Sequence, residues 1–494
     1  MKIPFVGDAY ATRSPNLNAQ TCINLYPVTD FFGDDPTQGV KNGKVPVALY
    51  RTPGLQEFTT NIHGHALARQ GGLHELNGTL YAVIDNKLII VDRFGNETDV
   101  GTLNTSTGPV CIIAGTISLL ILDGHSGYCY DFVTDTFTDL STVSTFIHTA
   151  TQGTYIDGYA VIVKPQSTSF YINHDHNNFL VWDVHDNAAT TTTAGYLVAV
   201  QQFRQELFMF TRYCTEIWYD SGPSVESNFP LRRKQGLLIT KGCAAQYSIC
   251  VVDGAIYWLG RDLSGYAQVL RVEQYTAVPV SNDAIETLIT QYGDISDAFA
   301  YTYKEFGHVF YVLTFPAANK TWVYDITTNF WHQRTSTIDG SYEKQGRHRG
   351  NSYAFLDGKH ILGDVYSGRL MQMKSGFYDE MGTRMFLERT TQHVFDSLLQ
   401  FSIKSLKIDI QGGTGLATGQ GSNPQLMLQY SKDGGHTWSN ELWQSMGAAG
   451  QYTKYIQYNR LGLFRISATF RLRYSEPTDF VILGAEASGD VGLH

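Results

Sequence analysis

A chain of 494 residues with 43% hydrophobic and 17% charged residues has enough apolar surface for more than one core, which excludes a disordered protein. Its 30 Tyr and 27 Phe favour strands, and 47 Gly supply turns between them. The formal net charge of -10 excludes an affinity built on neutralising many phosphates, so general nucleic-acid binding is not expected.

Residues 1–60 show no period and carry Pro4, Pro15, Pro27, Pro36, Pro46 and Pro53, with Gly33-Asp34-Asp35-Pro36 as a loop. The segment reads as an irregular arm packing on the body of the protein. Its apolar words, Cys22 to Tyr26 and Val45 to Tyr50, are expected as peripheral strands, because proline is confined to strand edges and ends. Met1 to Asp8 lacks the apolar core of a secretory signal, and no apolar run approaches a membrane span. The expectation is a soluble protein made in the cytoplasm.

From 61 to 380 one theme recurs seven times: a Gly or Asp-Gly turn, an apolar aromatic-rich run, and an acidic or Gly turn. The runs are Thr79 to Ile84, Ser118 to Leu122, Tyr159 to Val163, Leu207 to Phe210, Ala255 to Leu259, His308 to Leu313 and Lys359 to Asp364. A second run ending in an acidic turn follows most of them, as in Trp322-Val323-Tyr324-Asp325. A unit of about forty to fifty residues is the period of a four-stranded blade. The all-β reading is therefore a β-propeller over 61–380 with six or seven blades, one of them closing with a strand from the N-terminal arm. One helix is expected inside it, from Asp283 with Glu286 as a capping pair to Gly293, presenting Ile285, Leu288 and Ile289 on one face. Asn187 to Ala194 reads as an exposed loop.

Past 380 the rhythm stops, and residues 381–494 read as a C-terminal antiparallel domain of the β-sandwich type. Its expected strands are Met385 to Phe395, Phe401 to Ile410, Gln425 to Tyr430, Trp438 to Trp443, Phe464 to Tyr474 and Phe480 to Ala485. Over 464–474, Phe464, Ile466, Ala468, Phe470, Leu472 and Tyr474 alternate with Arg465, Ser467, Thr469, Arg471 and Arg473, the pattern of one long half-buried strand. Between Leu428 and Trp443 lies a hairpin tip whose Ser431, Asp433, Gly435, Thr437 and Trp438 match the Asp-box motif. Asp433 supplies an Asx-type turn, Gly434 and Gly435 accept positive φ, and Trp438 covers the turn.

The Asp box also occurs in sialidases and other sugar-active propellers, so a protein that binds or cleaves host surface glycans is the rival reading. Here the motif occurs once, outside the repeats, and its residues serve the turn. No G-x-S-x-G, H-E-x-x-H or kinase-like set is present. The glycine-rich stretch Gly412 to Gly421 lacks a Lys-Ser/Thr ending and joins two strands, so it reads as a flexible inter-strand loop. His63-Gly64-His65 and His174-Asp175-His176 have the spacing of a metal pair, yet neither shows a third ligand. The six cysteines lack a C-x-x-C pair and read as reduced, mostly buried thiols. Arg232-Arg233-Lys234 and Arg347-His348-Arg349 read as solvated loops or subunit contacts. No catalytic residue, metal or cofactor is expected.

Both ends resemble a known family. Tyr10 to Ser14, Gln20 to Pro27 and Thr52-Pro53-Gly54-Leu55 are similar to the start of the packaged-DNA-stabilisation, or tail nozzle, proteins of short-tailed bacteriophages. Gly419 to Pro424, Ser431 to Trp438, Gly447 to Lys454, Arg460-Leu461-Gly462 and Phe470 to Pro477 resemble that family's tail in the same order. The resemblance implies a non-enzymatic virion protein: a ring of six propeller subunits forming the distal tail tube below portal and adaptor proteins. Such a tube closes the genome exit after packaging and later conducts double-stranded DNA without sequence specificity. A needle or plug and fibres or spikes attach to it. An acidic wall suits passage of a duplex, and Arg460, Arg465, Arg471 and Arg473 then become candidate subunit contacts. A cellular propeller scaffold is a third, weaker reading.

Overall fold

Each of the seven apolar runs lies second from the inner edge of a four-layered antiparallel meander, the inner strand of the fifth being split into Gly242–Cys243 and Cys250–Val252. The computed structural model describes every residue except 1, 12–13, 15–17, 30, 33–39, 42–46, 60–63, 192–194, 224–228, 396–398 and 492–494. In the first meander Thr79–Ile84 lies between Ala68–Leu76 and Lys87–Val91, and Glu97–Thr102 completes the sheet. The inner turns have the chemistry their geometry demands. Asn77-Gly78, Asp157-Gly158, Asp253-Gly254 and Asp357-Gly358 all have positive φ at both positions, as a two-residue type I′ hairpin requires.

Among the described residues seven such meanders follow one another, and each touches the next through its inner strands until Gly350–Leu356 of the seventh packs against Ala68–Leu76 of the first. The meanders therefore close a ring, as a propeller does. Both faces of each sheet are covered. Leu80, Ala82 and Ile84 pack toward the seventh meander with Leu356 and Ile361, whereas Tyr81 and Val83 pack toward the second with Leu119 and Ile121. This two-sided burial is why the runs read as continuously apolar and do not alternate.

Residues 1–60 thread through three other parts of the molecule. Gly54–Glu57 is the fourth strand of the seventh meander, paired with Leu370–Lys374. Leu25–Thr29, Val47–Arg51 and Lys2–Ile3 belong to a sandwich sheet with Val481–Val491, Phe401–Ile410 and Ile456–Phe464. Cys22–Ile23 is internal to a sheet and not peripheral. It pairs antiparallel with Leu387–Thr390 and parallel with Phe330–Thr337, the outer strand of the sixth meander. One sheet thus runs from the propeller through Cys22–Ile23, Leu387–Thr390, Thr469–Tyr474 and Gln425–Ser431 to Leu442–Ser445.

The next residue fastens this junction. Asn24, fully buried at φ 54°, donates from Nδ2 to Thr335 O (3.0 Å) and Phe386 O (2.8 Å). Its Oδ1 accepts from Thr335 N at 3.0 Å. Arg389, also fully buried, donates to Phe5 O (2.6 Å), Asp8 O (2.9 Å), Thr21 O (3.3 Å) and Gln20 Oε1 (2.8 Å). The two-residue strand Cys22–Ile23, too short to hold itself, is thereby fixed by one side chain of the arm, Asn24, and one of the sandwich, Arg389.

Several expected elements shift. The strand expected over 464–474 is two: Ile456–Phe464 ends at Phe464, a turn exposes Ile466, and Thr469–Tyr474 belongs to the opposite sheet. Trp438 precedes the return strand, which starts at Leu442, and only Leu387–Thr390 of the stretch 385–395 is strand. Asn187 to Ala189 extend the strand Trp182–Ala189, and Thr192 to Ala194 lie outside the described residues. The helix Asp283–Gln291 is capped by Asn282, whose side chain accepts from Ile285 N. Ile285 and Ile289 are buried as expected, and Gly293 follows at φ +76°.

Candidate functional surface on the C-terminal sandwich

The Asp-box hairpin is a closed set of hydrogen bonds. Ser431 Oγ donates to Asp433 Oδ1 at 2.6 Å and accepts from Gly435 N at 2.8 Å. Thr437 donates to Asp433 from its amide (2.9 Å) and its hydroxyl (2.5 Å). Gly434 and Gly435 take φ of 74° and 95°, where a Cβ is strained. The bonds from Ser431 and Thr437 hold the Asp433 carboxyl well below the usual carboxylate range. A carboxylate so engaged is a poor proton donor, so the motif's acid serves the turn. The tip rests on the N-terminal segment, with Gly435 facing Ala19.

The arginines divide into two pairs. Arg471 donates to Gln429 Oε1 from Nε (3.0 Å) and Nη2 (2.6 Å), and its guanidinium covers Trp438. Arg473 donates to Glu388 Oε2 (2.9 Å) and Glu441 Oε1 (3.3 Å) while stacked 3.7 Å over Tyr342. Both are half-buried and held within the chain. Arg460 and Arg465 are exposed, Arg460 at φ 59° in a bulge where Arg460 and Leu461 oppose Lys404.

Tyr342, Glu388, Arg471 and Arg473 together resemble the groups a glycosidase of the sialidase type needs. Their geometry is that of a brace. Tyr342 donates to one Glu388 oxygen and Thr21 Oγ1 to the other at 3.2 Å. Burial and the adjacent Glu388 push the Tyr342 phenol up, so it stays protonated. The cluster ties the segment after the sixth meander to the sandwich and the N-terminal arm.

A second buried cluster lies where the sixth and seventh meanders meet the arm. Arg349 forms a bidentate pair with Asp364 (3.0 and 2.7 Å), and Arg334 donates to Pro53 O at 2.8 Å. His348 Nε2 lies 3.8 Å from Glu380 Oε1, both side chains being buried. Burial lowers His332 to about 3 and His348 well below its ordinary value, while it raises Glu380 against the pull of Arg334. His308 Nδ1 and Asp325 Oδ2 pair at 2.7 Å nearby.

The histidine pairs do not converge. His174 bonds Asp186 (2.6 Å), whereas His176 packs edge-on against Tyr159. His65 lies 3.5 Å from Asp85, and His63 falls outside the described residues. Among the described residues no group of three His, Cys, Asp or Glu could hold a metal. The six cysteines are free thiols, four of them fully buried. Gly412 to Gly421 connects Phe401–Ile410 to Gln425–Ser431 and is pinned by Leu416 N to Gly421 O (2.8 Å) and Gly450 N to Gly413 O (3.3 Å). Arg232 and Arg233 lie on the outer strand of the fourth meander, and Arg347 to Arg349 on the buried approach to the seventh. At the ring axis a cavity of about 450 Å³ is lined by His74, Cys111, Gln152, Thr154, Gln201, Gln246 and Tyr247, without a lysine, arginine or carboxylate. Burial keeps His74 low and pushes Cys111 up to about 11, so the cavity is electrically neutral.

Two family models match. One described as bacteriophage P22 Gp10, beta-propeller, covers residues 1–377, and one described as bacteriophage P22 Gp10, beta-sandwich, covers residues 387–490. No curated protein matches the sequence. Among solved structures, a streptogramin B lyase is 10% identical with a TM-score of 0.41, over 65% of this chain and 98% of its own. The N-terminal domain of Nup159 is 9% identical with a TM-score of 0.39, over 65% and 95%. The extracellular domain of BT4673 from B. thetaiotaomicron is 8% identical with a TM-score of 0.42, over 79% and 47%. At such values none of the three informs what this chain does.

Proposed function

The chain belongs to the bacteriophage P22 Gp10 family, the tail nozzle and DNA-stabilisation proteins of short-tailed phages, and from that membership we propose that it builds the distal tail tube. It is a structural protein of a phage tail, a component of the virion. In the proposed role a ring of copies, six by the family's pattern, closes the genome exit after packaging and conducts the duplex at ejection. Portal and adaptor proteins lie above the ring, and a needle or plug and fibres or spikes adjoin it. No reaction is assigned to the chain.

The observation that carries this reading is the fusion of the two lobes. A tube under internal DNA pressure needs subunits that do not flex between domains, and the sheet through Cys22–Ile23, with Asn24 and Arg389, joins propeller and sandwich without a linker. The net charge of -10 also supports passage over grip. Cryo-electron microscopy of the chain assembled with portal and adaptor proteins tests the proposal. A ring with a channel wide enough for a duplex, at the end distal to the portal, is expected; compact monomers under all conditions would overturn it.

A further inference from the structure

The formal charge is unevenly spread. Residues 61–190, the first three meanders, carry thirteen Asp and Glu against four Lys and Arg, a net of -9 out of the chain's -10. Residues 381–494 carry nine acidic against ten basic side chains, a net of +1. On the outer strands of the acidic meanders lie Asp99, Asp139, Asp183 and Asp186. Val133 is 79% exposed and Val184 48% exposed on the same flank.

These two regions face away from each other. The sandwich is attached at the outer strand of the sixth meander, and in a ring of seven the second and third meanders are the farthest from the sixth. The sandwich in turn presents its free edges outward. Leu442–Ser445 ends one sheet, five strand spacings or about 24 Å from the propeller strand Phe330–Thr337. Ile456–Phe464 ends the other sheet beside it. Around these two edges Trp443, Tyr452, Tyr455, Leu463 and Ile466 are 45–77% exposed, with Arg460 and Arg465 exposed among them. Trp, Tyr and Arg around an apolar centre are the residues that carry binding energy in protein interfaces. The bulge at Arg460 blunts the edge against indiscriminate strand pairing, leaving side-chain docking as its use.

We propose that this edge of the sandwich, centred on Trp443, Leu463 and Ile466 and flanked by Arg460 and Arg465, docks on the acidic flank of the second and third meanders of another copy of this chain. The occupant follows from charge: the complementary surface is on the same molecule, at its opposite end, where it cannot be reached from within. The contact is therefore heterologous, head to tail, and propagates into a ring when its rotation closes. The inference rests on the tail-tube reading for the existence of a ring and goes beyond it in naming the two surfaces.

The test uses the full-length chain with charge reversals at exposed positions, read by mass photometry against salt concentration. Arg460→Glu with Arg465→Glu, and separately Asp183→Lys on the third meander's outer strand with Asp175→Lys in the exposed connection that leads into that strand, are each expected to weaken assembly at least tenfold while circular dichroism stays unchanged. An equimolar mixture of the two variants restores assembly, because each then offers the other a complementary face. Leu463→Asp, which removes apolar contact without reversing a basic charge, also weakens assembly and is not rescued by mixing. If the wild type assembles and the reversals assemble equally well, or the wild type stops at a symmetric dimer, the docking surfaces are wrong, although rings formed by the reversal variants would still support the tail-tube reading. A wild-type chain that stays monomeric at all concentrations, with and without adaptor proteins, overturns both.

Discussion

The guanidinium of Arg471 lies 4.0 Å from the ring centre of Trp438. The residue that ends the Asp-box hairpin is thus clamped by the neighbouring strand, and the arginine is committed to it by two further bonds to Gln429. A turn motif and a strand face that look independent in the sequence form one unit. Trp438→Ala should remove about 1 kcal/mol of cation–π attraction and free Arg471. Asp433→Ala should open the turn itself. Hydrogen exchange at the amides of Gly435 and Thr437 is expected to speed up in both variants and more in Asp433→Ala; unchanged exchange would show that the motif does not hold the hairpin.

Arg389 anchors the arm through four acceptors in a site without solvent. Arg389→Met leaves buried carbonyls of Phe5 and Asp8 unpaired and should cost about 3 kcal/mol or more. Arg389→Lys should rescue little, since a single ammonium cannot span the fork. Limited proteolysis should cut the arm within residues 1–30 in both variants and spare it in the wild type.

Stability should fall on mild acidification. A buried histidine whose folded pKa lies below the unfolded value near 6.5 resists protonation only while folded. Stability is therefore lost as pH drops below 6.5, and for His332 the loss continues to about 3. The slope is about 1.4 kcal/mol per pH unit for each such histidine, with His348 acting in the same sense. Two carboxyls raised by burial oppose them, Asp8 between its unfolded value of 3.8 and about 6, and Glu380 between its unfolded value of 4.5 and its higher folded one, so the decline is steepest just below pH 6.5. Urea midpoints should decline from pH 6.5 to 5, and His332→Gln should flatten the decline; a flat wild-type profile would show that these rings are not buried.

The sandwich should not fold from its own sequence. A fragment of residues 381–494 lacks Lys2–Ile3 and Val47–Arg51, which pair with Val481–Val491, and Cys22–Ile23, which covers Leu387–Thr390. Two strand edges, one of Val481–Val491 and one of Leu387–Thr390, stay open, and such edges invite aggregation. Co-expression with residues 1–60 is expected to recover soluble material; a cooperative thermal transition in the lone fragment would contradict this.

The ring was legible because each central strand is buried on both sides, so that runs such as His308–Phe315, buried throughout, are dominated by apolar and aromatic residues and stand out against the Gly turns. The arm was not. Cys22–Ile23 owes its place to partners more than 300 residues away, and two residues carry no periodicity. Ile456–Phe464 escaped because Arg460 and Gly462 at the bulge break its alternation, which let Phe464 be assigned to the following strand. The alternation of Arg471 and Arg473 gave their side of the strand correctly. It could not show that Trp438 and Tyr342 lie over that side, since period 2 names a face and not what covers it.

The pairing of Ile3 with Ala485 has a consequence for synthesis. Roughly 480 residues separate the partners, and at about 5–20 residues per second the first strand waits on the order of a minute for its mate to emerge from the ribosome. The ring can close earlier, once Gly54–Glu57 meets Leu370–Lys374. During the interval Leu25, Leu49 and Phe5, all fully buried in the finished protein in a core that the sandwich completes, lack that part of their cover. Nascent chains should therefore pass through a stage with a formed propeller and a sticky leading segment, the natural point for a chaperone to act and for a translational pause to cause misfolding.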